Sequence, residues 1–319
     1  MKEYTYQLAK KGKWTCPACQ HKTFVLYVDA NGEPLNEGVG KCDRADNCAY
    51  HYTPRQYFAD NGVPDEQRPK KPKINTTVHL TPSFIDSDTF KASLKNYGKN
   101  AFVTYLTRLF GNSEAAQLTA RYYIGTSSHW AGANVFWQID HHGRVHGGKI
   151  MSYDSMTGKR IKQPRSLVTW VHSEMKKRNL LPKEWELEQC LFGEHLLSKD
   201  RESLVVIVES EKTAIICSRF IPDAVWLACG GCNNLSKKIC QPLTRRNVLL
   251  MPDNGKFDEW AKHGRELMGF CKSVRISDIM ELKAAVTGDD LCDLLTARYL
   301  DGSLDETIFN GSIFHLLRN

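Results

Sequence analysis

The 319-residue chain contains no run of eighteen apolar residues, so no helix is expected to cross a membrane. Its first residues, MKEYTYQLAKKGKW, lack the apolar segment of a secretory signal, and a cytoplasmic, membrane-free protein is expected. No stretch recurs at a fixed period, which excludes solenoid and propeller arrays. The spacing of a Walker phosphate loop is missing as well. GGK at 147–149 is too short to be one, so no ATPase is read here. Aliphatic residues are scarce in the first sixty positions, and so small a region cannot build a sizeable core unaided. Otherwise the composition, 41% hydrophobic and 25% charged, is that of a globular protein with one large or two to three small domains.

Eleven cysteines are present, and an odd number without a secretory signal favours reduced thiols over disulfides. Four of them cluster: Cys16 and Cys19 in CPAC, Cys42 and Cys48 in KCDRADNCAYH. A C-x2-C knuckle gives two ligands to a tetrahedral zinc, and Cys42 and Cys48 would complete the set. His51, three residues beyond Cys48, is the reserve ligand in place of Cys42 or Cys48. A closed Zn²⁺ site of this kind is a folding device for a small domain. Lys22, Phe24, Tyr27, Lys41, Arg44, Tyr50, Tyr52 and Arg55 around it could stack on single-stranded bases or serve as its core. The remaining thiols, Cys229 and Cys232 of CGGC among them, read as buried. His141 and His142 read as turn residues after the strand-like FWQID.

The net charge of +7 is unevenly spread, because residues 274–309 carry three basic and eight acidic side chains. Residues 141–178 hold nine Lys/Arg against two acids. That block is either a solvated face or a phosphate-backbone track, formed by Arg144, Lys149, Arg160, Lys162 and Arg165.

Composition divides the chain into a zinc-binding module (1–62), a Pro/Lys-rich linker (63–83), a middle basic nucleic-acid-binding α+β region (84–200) and an α/β domain (201–319). In the middle region, FKASLKNYGKNAFVTYLTRLF fits a helical stripe and ANVFWQID a strand. In the last, LVVIVE, AVWLA, NVLLMP and SVRI read as strands, and SEKTAIICSRF, NLSKKICQPL and FDEWAKHGRELMGF as helices. This alternation implies parallel pairing. Glu209 closes the first strand, Gly230-Gly231 follow the second and Asp253 closes the third. Ligands gather at such ends, so two acids facing a Gly-Gly turn suggest a divalent-metal and phosphate site. The same acids could instead cap the helices that follow.

VVIVESEKTA, LACGGCNNL and VLLMPDNGKFDEW resemble the successive motifs of the toprim domain of bacterial-type primases, topoisomerases and related nucleases. The ESEKTA form is most similar to toprim primases of phages and plasmids, and a zinc module ahead of toprim is the bacterial-type primase arrangement. The resemblance spans about 203–297, with the zinc module at 14–58. FWQIDHHGRVHGGKIMSYDSMTGKR also resembles the segment before toprim in primase-like proteins of mobile genetic elements.

The resemblance implies a toprim-like parallel sheet flanked by helices, an α+β middle region and a small β-rich zinc ribbon. It implies that Glu209 is the family's glutamate, with Lys212 in the helix behind it, and that Asp253 is the first aspartate of D-x-D. Position 255, where the second is due, holds glycine. Asp258, one turn into the next helix, is the expected substitute, and TGDDLCDLL adds Asp289, Asp290 and Asp293.

The implied activity is that of a DNA primase, a nucleotidyltransferase making short RNA primers on single-stranded DNA from nucleoside triphosphates. It would use Mg²⁺ or Mn²⁺, and serve DNA replication or transfer of a mobile genetic element. No helicase segment follows, so any unwinding partner is expected to be a separate chain. Two alternatives stay open: a DNA-binding accessory protein that lost catalysis with Gly255, and a metal-dependent nuclease. A topoisomerase is not expected, for want of a second large domain to carry the strand-passing tyrosine.

Overall fold

The computed structural model describes residues 6–9, 11–44, 48–61, 83–164, 166–198, 201–231, 234–283 and 289–304. The chain divides into two compact units, 1–79 and 80–319. The expected linker falls almost wholly outside the described residues, as do Arg165 and Cys232.

The first unit is an antiparallel ribbon of four strands in chain order: β1 (Gln7–Leu8), β2 (Phe24–Val28), β3 (Gly40–Cys42) and β4 (His51–Tyr52). DANGEP makes the β2–β3 connection turn, with the Asp29 carboxylate accepting from the Asn31 and Glu33 amides, both at 2.9 Å. Helix α1 (Pro54–Asp60) starts at a capping box, in which Thr53 and Gln56 each accept from the other's amide. The buried cluster of this unit is Cys16, Phe24, Leu26 and Cys42, and Val25 and Val39 are also buried, too few groups to fold a domain without a further tie.

The second unit holds two four-stranded sheets. Helix α2 (Ser87–Ser93) and helix α3 (Ala101–Arg121) divide the expected single stripe, because Asn96 takes a left-handed conformation and Asn100 caps α3 through the Val103 amide. An antiparallel sheet follows, in the order β5 (Gly125–Thr126), β6 (Asn134–Ile139), β7 (Val145–Met151) and β8 (Val168–Trp170), then helix α4 (Val171–Lys177).

The parallel sheet is built from β9 (Val205–Val208), β10 (Val225–Ala228), β11 (Asn247–Leu250) and β12 (Ser273–Ile276), in the order β10-β9-β11-β12. Every residue of β9 and β10 is buried, as expected of a sheet covered on both faces. Helix α5 (Glu211–Phe220) links β9 to β10 and helix α6 (Phe257–Leu267) links β11 to β12; α7 (Ile279–Lys283) and α8 (Leu291–Leu300) follow. The helix expected over NLSKKICQPL does not form among the described residues. They make turns and a 3-10 segment, Gln241–Leu243, in which Pro242 has no amide to extend a ladder.

One apolar core spans both sheets: Phe136 of β6 and Met151 of β7 pack in the same cluster as Val205–Val208. Phe192 extends the parallel sheet, bonding Ala228 in both directions at 2.9 and 3.1 Å. Among the described residues no helix is long and apolar enough to cross a membrane.

Candidate active site

Strand β9 hands the chain to β10 on one side, whereas β11 hands it to β12 on the other. With right-handed crossovers, α5 and α6 therefore leave on opposite faces, and a crevice opens beyond the carboxyl ends of β9 and β11. Glu209 and Asp253 stand at those two ends. The Asn254 amide donates to the Asp289 carbonyl at 3.0 Å, which fastens the loop after β11 to the segment leading into α8.

That tie brings the acids of three segments together. Burial first, then the charges of Asp290, Glu209 and Asp293, push the Asp253 carboxyl up to about 8, with Lys212 opposing them. Asp290 caps α8 through the Asp293 amide at 2.9 Å and accepts from the Thr213 hydroxyl at 2.6 Å. Burial raises its pKa, against the pull of Lys212. Lys212 Nζ donates to Asp293 Oδ1 at 2.9 Å. Although burial works against the lysine's charge, Cys292, Asp290 and Asp293 around it raise its pKa.

Asp290, Cys292 and Asp293 have ligand atoms within 4.8 Å of one another. Asp258 is exposed on the first turn of α6, so the acids gathered on Asp253 come from β9 and α8. Like charges this close do not all ionise in a buried setting unless a cation joins them, and carboxylate oxygens are the ligands Mg²⁺ and Mn²⁺ prefer. The donor set therefore fits a divalent ion.

Gly255 has φ 82°, the left-handed region in which an aspartate is disfavoured. Its amide donates to Glu281 Oε1 at 2.8 Å, and Glu281 also takes the Phe257 amide at 3.4 Å, so α6 is capped from outside its own sequence. Sequence reasoning missed Glu281, for which no local pattern exists.

The glycine turn after β10 is already engaged. Gly230 donates to the Glu209 carbonyl at 2.9 Å, and its own carbonyl accepts from Lys149 Nζ at 3.0 Å. Lys149 reaches there from β7 and pairs with both Glu211 oxygens, at 3.1 and 3.2 Å. Both partners are buried, so Lys149 is a brace between the sheets. Glu211 was also missed; its signal was an acid in the first turn of α5, two residues after Glu209.

Of the other basic candidates, Arg160 and Lys162 are exposed. Arg144 donates to Asp140 at 2.7 Å and lies 4.8 Å from the Phe84 ring centre. Burial disfavours the Asp140 charge, but hydrogen bonds from His146 and Arg144 outweigh it and hold its pKa at about 2. The thiols Cys190, Cys217, Cys229, Cys240 and Cys292 are buried and free.

In the separate ribbon unit, the Cys16, Cys19, Cys42 and Cys48 sulfurs lie within 4.8 Å of one another. Cys16–Cys48 is 3.7 Å and Cys19–Cys42 is 3.9 Å. A tetrahedron with Zn–S bonds of about 2.3 Å has sulfur–sulfur edges of about 3.8 Å, so the four thiols fit a structural Zn²⁺. His51 is not among them: it bonds the Tyr27 hydroxyl at 3.0 Å. Phe24 belongs to the core of this unit, whereas Lys22, Lys41 and Arg55 are exposed.

Several solved structures are similar to the chain. For the primase fragment of the bacteriophage T7 primase-helicase protein the TM-score is 0.40 at 15% identity, over 95% of this chain and 98% of that one. For the E. coli primase catalytic core it is 0.32 at 16%, over 63% and 67%. For the zinc-binding and RNA polymerase domains of the Aquifex aeolicus primase it is 0.33 at 12%, over 96% and 80%. No curated protein matches the sequence. Residues 100–254 match the model of a family described as a domain of unknown function (DUF6371), and residues 4–63 match that of a zinc beta-ribbon finger.

Proposed function

We propose that this protein is a primase-like nucleotidyltransferase with a toprim-type site, making short RNA primers on single-stranded DNA. The observation that carries the reading is the convergence of the loop after β11, which holds Asp253, on the start of α8 through the Asn254–Asp289 hydrogen bond, where Lys212 pairs with Asp293 beside Asp290, with Glu209 among the charges that raise the Asp253 pKa. These carboxylates would hold Mg²⁺ or Mn²⁺, which when bound neutralises phosphate charge. Lys212 keeps its proton and so can face a phosphate oxygen beside the acids. Arg144, Arg160, Lys162 and Arg165 are proposed to follow the template backbone, Lys149 to support the Gly230 turn from within, and the zinc unit to select the template.

Primer synthesis from labelled nucleoside triphosphates on a single-stranded template tests the reading. Product is expected with Mg²⁺ or Mn²⁺, falling at least about a hundredfold in Glu209→Gln and Asp253→Asn. Equal product from the variants would sink the assigned site. The left-handed glycine at 255 favours a second reading, a DNA-binding accessory protein without catalysis. In that case the wild type binds DNA in a salt-dependent way and yields no product with either metal. Plasmid nicking abolished by the same substitutions would identify a nuclease instead.

A further inference from the structure

A pocket of about 610 Å³ lies between α2, the end of α3 and the β6–β7 turn. None of the acids assigned to the metal, nor Lys212, lines it. Its walls include three aromatic rings, Phe84, Phe90 and Tyr123, and three cations border it, Lys91, Arg121 and Arg144. Its one lining acid, Asp140, is internally satisfied, and so is Glu194, the partner of the lining His141. Asp140 accepts from Arg144 Nε at 2.7 Å and lies 2.9 Å from His146 Nε2. Glu194 lies 2.8 Å from His141 Nδ1 and accepts the Leu191 amide at 3.3 Å. Lys91 and Arg121 have no carboxylate partner among the described residues, so the rim is positive.

Tyr123 supplies a second, independent observation. It directly follows the cap of α3 with φ 49°, the left-handed conformation that helix ends usually give to glycine. A bulky aromatic is strained there, and strained side chains cluster at ligand clamps. The ring is nonetheless 41% exposed, set against Phe90 at 5.7 Å and the His195 ring at 5.2 Å. Packing on Phe90 and His195 leaves part of the Tyr123 ring open to the pocket, where a flat ligand can lie on it.

We infer that this pocket binds a free nucleotide, its base against Tyr123 and the neighbouring rings and its phosphates on Arg121 and Lys91. Aromatic faces beside cations suit a base joined to phosphates, and the volume lies in the range of small-ligand sites. A pocket of this volume suits a single nucleotide better than a strand, which needs a continuing track. The site is separate from the carboxylates and does not depend on the primase reading.

The test is calorimetric titration of the full-length, zinc-loaded protein with ATP in the absence of added divalent ion, so that no metal bridges the phosphates to the carboxylates. Saturable one-to-one binding is expected, weakened at least tenfold in Tyr123→Gly and in Arg121→Gln and unchanged in Asp253→Asn. Tyr123→Gly should melt at the same temperature as the wild type or above it, since glycine relieves the backbone, and this separates lost binding from lost folding. Absence of saturable binding, wild-type affinity in both pocket variants, or loss in Asp253→Asn alone would each overturn the inference. So would an oligo-dT that needs Tyr123 while ATP does not bind.

Discussion

Asp253 keeps its proton to about pH 8 because it is buried among like charges, and this has a consequence for stability. Its folded pKa lies above the unfolded value of about 3.9. The contribution to stability is therefore fully present below about pH 4 and is lost as pH rises through about 8. Melting temperature of the protein without divalent ion is expected to fall across that window and to fall less in Asp253→Asn. At pH 8 this variant should be more stable by about 1–3 kcal/mol. Mg²⁺ should raise the wild-type melting temperature at pH 8 and leave the variant nearly unmoved. The Lys149–Glu211 pair behaves oppositely, since both charges are buried and each satisfies the other. Lys149→Met leaves a buried carboxylate without its cation and should cost about 3–5 kcal/mol in denaturant unfolding. The double change Lys149→Met, Glu211→Met should recover most of that.

Two local segments depend on groups supplied from outside themselves. Among the described residues the zinc ribbon's packed cluster has four buried members and two of them are cysteines, so its fold depends on its ligands. Chelation is expected to abolish the ribbon's near-ultraviolet signal, and Cys16→Ser to do the same without chelator. His51→Ala should keep one equivalent of zinc by metal analysis, because His51 bonds Tyr27 instead. The turn between β11 and α6 is the second case. Gly255 lies in the left-handed region with its amide on Glu281. Gly255→Asp, which restores the D-x-D pattern, should therefore cost about 1–2 kcal/mol and give no gain in primer synthesis. A gain would mean that the turn rearranges to admit a ligand at 255.

Across the whole molecule, the antiparallel and parallel sheets share one core, so the basic middle region and the acidic strand ends belong to a single packed body. The sequence alone determined what local chemistry can encode. Continuous apolar runs marked β9, β10 and β11, the residues after them placed Glu209 and Asp253 at carboxyl ends, and the C-x2-C knuckle with the wider Cys42–Cys48 pair marked the four cysteines that fit zinc. The helix misread over NLSKKICQPL shows the limit of periodicity in a ten-residue connection containing proline. Only the tertiary structure decided which groups meet. Asp253 meets Asp290 where the Asn254–Asp289 hydrogen bond ties the loop after β11 to the segment leading into α8, and Lys149 meets Glu211 across 62 residues. Pairings over such distances leave no periodic trace, since burial and desolvation act on neighbours in space and sequence spacing records only neighbours along the chain.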